Sequence, residues 1–96
     1  MSRHGSFKFR LYVADDTLNS VQAVANLTAF CHTYLQDRHE IEVIDVFREP
    51  LRALADNILM TPMLIRFAPL PLRRIVGTLS QTQILLQALG IEDAGS

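Results

Sequence analysis

The side chains that could do chemistry are few and stand far apart in this sequence. Cys31 is the only cysteine, so the chain has no Cys-x-x-Cys pair for thiol–disulfide exchange. It falls on an apolar helical stripe, where a free cysteine is usually buried and inert. His32 and His39 are seven residues apart, which is not the one-turn spacing of a zinc-binding pair. These residues argue against thiol catalysis and against a metal site.

Asp45 is the remaining candidate for catalysis, because it interrupts an apolar run that is predicted to be a strand. A carboxylate in such a place can be a general base, but an arginine or a main-chain N–H group more often holds it. The sequence also lacks a glycine-rich phosphate loop. An oxidoreductase or transferase that uses Asp45 or Cys31 is therefore only the alternative to a binding role.

The most unusual segment is MTPMLIRFAPLPLRRIVG, residues 60–77, which places three prolines and three arginines in an otherwise apolar run. The prolines are Pro62, Pro69 and Pro71. Each proline fixes φ and removes an N–H donor, so the three punctuate any strands that form here. Arg73 and Arg74 are adjacent, so on a strand their side chains point to opposite faces. One can then meet a carboxylate of a partner, or both can be solvated and protect an edge strand from aggregation.

Composition limits the remaining function classes. With 96 residues, 49% of them hydrophobic, we expect one domain over residues 7–90 and flexible termini at 1–6 and 91–96. A net charge of −1 and a pI of 6.2 give no basic field, so nucleic-acid binding is not predicted. The apolar runs are too short for a membrane span, and the start of the chain lacks a signal-peptide core. We expect a soluble cytoplasmic protein.

Hydrophobic periodicity predicts an α/β fold. FKFRLYV, residues 7–13, alternates as a strand does. Thr17 or Asn19 can cap a helix that follows. Its predicted apolar stripe is Val21, Val24, Leu27, Thr28, Cys31, Tyr34 and Leu35. IEVIDVF, residues 41–47, is then expected to be a strand covered on both faces, which completes a βαβ unit.

The second half reads as helix, strand, strand and helix. Pro50 begins a short helix, and residues 63–67 and 72–76 are predicted to pair as an antiparallel hairpin. The last helix is predicted to begin with a capping box of Ser80 and Gln83.

This order, βαβ followed by α and ββα, is that of a thioredoxin-like domain. Thr61-Pro62 stands where that fold keeps a cis-proline before its third strand, so we expect Pro62 to be cis. The loop after the first strand, where thioredoxins carry their nucleophilic cysteine, has none. The fold is therefore predicted without its thiol chemistry.

Beyond these patterns, the chain resembles the circadian clock protein KaiB family over about residues 7–90. The matching segments are LYVA at 11–14, NSV at 19–21, VIDV at 43–46, ILMTPML at 58–64 and PLPLRRIVGTLS at 69–80. The last is the most specific, because only the family's aspartate is changed, to Thr78. The chain is more distantly similar to the KaiB-like N-terminal domain of the sensor kinase SasA.

The resemblance implies a regulatory binding protein without catalysis or a cofactor, acting in a clock or a stress response. KaiB docks on the CI ring of the ATPase KaiC, and in cyanobacteria it captures KaiA and displaces SasA. The family also changes fold, because a tetrameric resting form, βαββααβ, exchanges with a thioredoxin-like monomer that alone binds KaiC. The implied partner-binding residues are Arg10, Asn19, Arg66, Arg73 and Arg74. A sensory domain like that of SasA is the alternative within this class.

Departures from the family refine the expectation. Family members usually carry glycine and aspartate where this chain has Ala88 and Gly90. Alanine favours a helix over glycine by about 1 kcal/mol, and a glycine suits the left-handed end of a helix. Both changes favour the thioredoxin-like monomer over the tetramer. Basic positions are lost at Gln22, Ala25 and Glu42, so we expect binding to a KaiC-like hexamer but regard KaiA capture as doubtful.

Overall fold

A computed structural model describes residues 6–91 of the chain. The elements are β1 (Phe7–Val13), α1 (Leu18–Tyr34), β2 (His39–Asp45), α2 (Pro50–Ala55), β3 (Met63–Ala68), β4 (Arg73–Val76) and α3 (Thr82–Leu89). This is the predicted order. Of the termini that were expected to be flexible, all but Ser6 and Ile91 lie outside the described residues. None of the described helices is long and apolar enough to cross a bilayer.

The four strands form one sheet in the order β2-β1-β3-β4. β1 pairs with β2 in parallel, as expected when a helix connects them, and with β3 antiparallel. β3 and β4 pair antiparallel, which confirms the predicted hairpin. β2 and β4 are therefore the two edges of the sheet.

The two faces of the sheet are covered unequally. α1 and α3 pack on one face and form the main core with Phe9, Leu11 and Leu64. On the other face the six-residue α2 covers a smaller cluster. That cluster consists of Tyr12, Ile44, Ala53, Met63 and Ile65. Part of this second face is therefore open, which is where the polar side chains described below lie.

The predicted stripe of α1 is partly wrong. Val21 is 54% exposed and Thr28 is exposed, whereas the buried face of the helix is centred on Ala23, Leu27, Cys31 and their neighbours. Ser20 also belongs to that face, because its hydroxyl oxygen accepts hydrogen bonds from the Ala14 N–H and the Thr17 hydroxyl. These bonds satisfy the Ser20 hydroxyl oxygen, so this small polar side chain can be buried.

The prediction that β2 is covered on both faces is wrong. Only Ile44 of this strand is buried, and Val43 is 47% exposed. The reason is its position at the edge of the sheet, where α1 lies over β1 and the short α2 reaches only one end of the second face.

The first residues of the helices follow the sequence prediction except at α3. Thr17 caps α1 by accepting a hydrogen bond from the Ser20 N–H, and Pro50 opens α2. The capping box at Ser80 is wrong, since α3 begins at Thr82 after Gln81 without a side-chain cap. Leu79 takes the left-handed φ of 63° and buries its side chain in the core, so the chain enters the helix later.

The isomer of one X–Pro peptide bond was predicted from the sequence, and the structure agrees with it. The Thr61-Pro62 peptide is cis, as predicted, and the peptides before Pro69 and Pro71 are cis as well. At the other end of this half, Gly90 ends α3 with a φ of 68°, the left-handed conformation predicted for it. Ala88 lies inside α3 and Gly90 is its C-cap, so these two departures from the KaiB pattern are at the end of a formed helix.

Candidate functional site

The β3–β4 hairpin places two arginines on the two faces of one sheet edge. Arg74 lies opposite Ile65 and Arg73 lies opposite Arg66 in the strand register. Since Ile65 packs under α2 and neighbouring residues on a strand alternate, Arg74 belongs to the α2 face and Arg73 to the α1/α3 face. Both arginines are exposed. The edge thus offers a guanidinium group on each side.

Arg66 has a different environment from its neighbour Arg73. It is only 5% exposed. Its Nη1 donates a hydrogen bond to the carbonyl oxygen of Leu89, and its Nη2 donates to the carbonyl oxygen of Pro71 at 2.8 Å. Burial, and secondarily the positive charge of Arg73, lower the pKa of the Arg66 guanidinium. In this conformation Arg66 ties the end of α3 to the proline loop and does not present its guanidinium at the surface.

Arg10 lies on the α2 face and is held from three directions. Its Nη1 is 3.0 Å from Asp56 Oδ2, and its Nε is 3.5 Å from Glu42 Oε1. The guanidinium carbon also stands 4.2 Å from the centre of the Phe67 ring, a cation–π arrangement. The Arg10 guanidinium is therefore already bound by groups of the protein itself, although about a third of the side chain stays exposed.

Asp56 is the centre of the polar cluster on this face. It accepts hydrogen bonds from the Tyr12 hydroxyl and from Arg10. Burial acts to raise the pKa of Asp56, but the hydrogen bonds from Tyr12 and Arg10 and the charges of Arg10 and Arg74 outweigh it and lower the pKa. Burial and the bond to Asp56 raise the pKa of Tyr12 to about 12. The pair is therefore a phenol that donates to a carboxylate.

Arg52 of α2 joins this cluster to β2. Its guanidinium grips Glu42 with two hydrogen bonds of 2.7 and 2.8 Å, the fork geometry typical of arginine and carboxylate. The hydrogen bond from Arg52 is the main cause that lowers the pKa of Glu42. Glu42 also faces Arg10 in the strand register. Together these bonds fasten α2 to the sheet.

The structure brings together some of the residues expected from the sequence and separates others. Arg10 and Arg74 flank Ile65 on one face, so their Cα atoms are about two strand spacings, or roughly 10 Å, apart. Asn19 is exposed on the first turn of α1, a different element. Sequence reasoning missed Asp56. Asp56 lies just past the end of α2, where the helix dipole disfavours a negative charge. This unfavourable position could have indicated that a positively charged side chain or a hydrogen-bond donor stabilises the carboxylate.

Of the two residues considered for catalysis, Cys31 is buried, and Asp45 accepts a hydrogen bond within the protein. Cys31 has no exposed surface, and burial raises the pKa of its thiol to about 12. Asp45 accepts a hydrogen bond from the Phe47 N–H at 2.8 Å and lies 3.9 Å from Arg48, the structural role that the sequence favoured. Neither side chain is placed as a nucleophile or a free general base.

The fold defines the chain as a thioredoxin-like domain. The N-terminal domain of Synechococcus elongatus SasA has a TM-score of 0.74 and 18% identity, over 98% of this chain and 92% of that domain. Chloroplastic thioredoxin z has a TM-score of 0.70 and 17% identity, over 91% of this chain and 81% of its own.

Within that class, the chain belongs to the KaiB family. The KaiB domain model matches residues 10–91. The chain is 41% identical to the circadian clock protein KaiB3 of Synechocystis sp. over 86 residues, covering 90% of this chain and 84% of that relative. It is 40% identical to the circadian clock oscillator protein KaiB of Synechococcus elongatus over 91 residues, covering 95% and 89%. The chain is thus a KaiB-like member of a family of circadian clock proteins.

Proposed function

We propose that this protein is a non-catalytic regulator that binds the CI ring of a KaiC-type ATPase hexamer in the thioredoxin-like state described above. The observation that carries the proposal is the exposed pair Arg73 and Arg74 on the β4 edge of a KaiB-family chain. Arg10 lies on the same face of the sheet as Arg74, since both are opposite Ile65 in the strand register. The partner-binding surface proposed here is therefore the β4 edge.

The two edge arginines are suited to a partner because neither guanidinium is held in an ion pair among the described residues. Within residues 6–91, neither Arg73 nor Arg74 forms an ion pair, whereas Arg10 and Arg52 do. A carboxylate of the partner can therefore bind either edge arginine without breaking an internal bond. The planar fork of a guanidinium matches a carboxylate with two parallel hydrogen bonds, which adds orientation to charge attraction.

The remaining residues support regulation rather than turnover. The buried Cys31 supports a protein that acts without thiol chemistry. Glu42 is a negative charge on β2 that Arg52 already binds. Capture of a KaiA-like partner through a basic second strand is therefore not part of the proposal. In this function the protein acts as a monomer.

The test is binding to a purified KaiC-type hexamer, measured by biolayer interferometry. Arg73→Ala and Arg74→Ala should each weaken binding by about tenfold, since interface arginines often contribute more than 1 kcal/mol. Arg38→Ala is the matched control, because Arg38 is exposed in the turn before β2, away from the β4 edge. Absence of a complex, or an equal loss with Arg38→Ala, would refute the proposal.

A further inference from the structure

A groove lies at the opposite side of the molecule from the β4 edge. It runs between the first half of α1 and the carboxyl ends of β1 and β2, and its volume is about 630 Å³. Its floor is aliphatic and includes Val13, Val21, Val24 and Val43. A volume of this size lies within the range of about 300 to 1,000 Å³ that is usual for sites that bind ligands.

The groove is open because no element covers this part of the sheet. Val21 and Val43, one on α1 and one on β2, are 54% and 47% exposed. The buried face of α1 is turned toward β1, and β2 has no neighbouring strand on its outer side. Both valines line the same groove and remain about half exposed to water. A partner that covers them would remove apolar surface from water, which favours binding.

The rim of the groove carries strongly unequal charge. Four carboxylates line it, Asp15, Asp16, Asp45 and Glu49, against the single arginine Arg48. Arg48 is 3.9 Å from Asp45, and Arg52 is 3.4 Å from Glu49. Asp15 and Asp16 form no ion pair with any residue in the range 6–91. The rim therefore attracts cations, and its two free carboxylates lie beside an aliphatic floor.

We infer that this groove binds a basic segment of a partner protein, in which a lysine or arginine is flanked by aliphatic residues. Such a side chain lays its methylene stem on apolar surface and keeps its charged head among carboxylates. The valine floor accepts the stem and the flanking aliphatic groups, and Asp15 and Asp16 accept the head. A metal ion is a poorer occupant, since residues 6–91 contain no cluster of three ligating side chains.

This site is independent of the function proposed above. The groove adjoins β2, whereas Arg73 and Arg74 lie on β4 at the other edge of the sheet. The two surfaces also prefer opposite charges. The protein can therefore hold an acidic partner at one edge and a basic segment at the other, and either site can fail its test without affecting the other.

The experiment uses the full chain and a fluorescein-labelled peptide with blocked ends, Gly-Leu-Lys-Val-Arg-Leu-Gly. Binding is followed by fluorescence anisotropy, and the site is mapped by amide NMR. We expect the peptide to bind, with the largest shift changes at Val21, Val24 and Val43. The double variant Asp15→Asn/Asp16→Asn should weaken binding about three- to tenfold, because exposed ion pairs contribute up to about 1 kcal/mol each.

Two comparisons make the result decisive. The first is a peptide with glutamate in place of both basic residues, which should not bind. The second is the double variant Asp37→Asn/Glu40→Gln, which removes the same charge from exposed carboxylates at the start of β2 and should leave binding unchanged. The inference is overturned if the basic peptide does not bind, if both peptides bind equally, or if both double variants weaken binding to the same extent.

Discussion

The guanidinium of Arg66, in the inner strand β3, donates a hydrogen bond to the carbonyl oxygen of Leu89, the last residue of α3. The last carbonyls of a helix have no partner inside the helix, so an external donor must satisfy them when they are buried. The other arm of the same side chain holds Pro71. Arg66 thus joins three parts of the second half of the chain, namely β3, the proline loop and α3.

Replacing Arg66 should destabilise this half specifically. Arg66→Met keeps the length of the side chain but leaves two main-chain carbonyls without a charged donor. We expect the free energy of unfolding to fall by about 2 to 3 kcal/mol, since hydrogen bonds to charged groups contribute this much when buried. Urea denaturation measures the loss. Arg73→Met, at the exposed position opposite, should change stability by less than about 0.5 kcal/mol, and an equal loss there would contradict the assignment.

Asp56 should give the fold an acid-sensitive component. Its pKa is lowered in the folded state, so its contribution is complete above the unfolded value of about 3.9 and is lost as the pH falls through the folded pKa. Asp56→Asn should cost about 1 to 2 kcal/mol at neutral pH, because it removes the ion pair with Arg10.

Stability curves measured from neutral to acid pH test this prediction. The difference between the wild type and Asp56→Asn should shrink as the pH is lowered below about 4. The exposed Asp37→Asn serves as the control and should track the wild type. A constant gap across the whole pH range would show that Asp56 acts by packing alone.

Cys31 should react only when the protein opens. Its thiol is fully buried and burial raises its pKa to about 12, so little thiolate forms near neutral pH and reagents cannot reach it. We expect labelling with a disulfide reagent to be at least about a hundredfold slower in the native protein than in concentrated urea. Fast labelling under native conditions would revive the thiol-based alternative. Cys31→Ala, which gives no signal, controls for non-specific reaction.

Ala88 and Gly90 should favour the helical state of residues 82–89. Ala88→Gly lowers helix propensity by about 1 kcal/mol. Gly90→Asp puts a side chain on a residue with a φ of 68°, which costs about 1 kcal/mol or more. The double variant should therefore show strand-like NMR shifts and a larger mass in solution, whereas the wild type should be helical and monomeric.

The control for this prediction is Ala29→Gly, an equal loss of propensity at an exposed position of α1. It should lower stability without changing the oligomer or the secondary structure of the second half. If the double variant behaves in the same way, with helical shifts and a monomer mass, then these two positions do not set the fold state.

Local patterns were enough to predict most of the fold. The alternation of β1, Pro50 at the start of α2 and Gly90 at the end of α3 are properties of short segments, and the structure agrees with each. The cis peptide at Pro62 was predicted from the resemblance to a thioredoxin-like fold together with the position of the proline before the third strand. Residues whose own segment determines their conformation were thus predictable.

The remaining features depend on distant neighbours. Val43 is exposed because β2 lies at the edge of the sheet, and the sequence of β2 alone does not reveal that position. In the sequence, nothing distinguishes Arg66 from the exposed Arg73 and Arg74. It becomes an internal residue because the carbonyl group of Leu89, 23 residues further along the chain, accepts its hydrogen bond. The polar cluster around Asp56 likewise combines β1, β2 and α2.

The position of β1 between β2 and β3 has a consequence for any change of fold in the second half of the chain. One side of β1 pairs with β2 inside the first half of the chain, while its other side is paired with β3, from Lys8 to Tyr12. If the second half is rebuilt, the main-chain groups on that side of β1 lose their partners and must find others. β3 therefore satisfies the hydrogen-bonding groups on this side of β1 and keeps other strands from pairing there. Any alternative fold of this protein must supply another strand to pair with β1, from its own chain or from another copy.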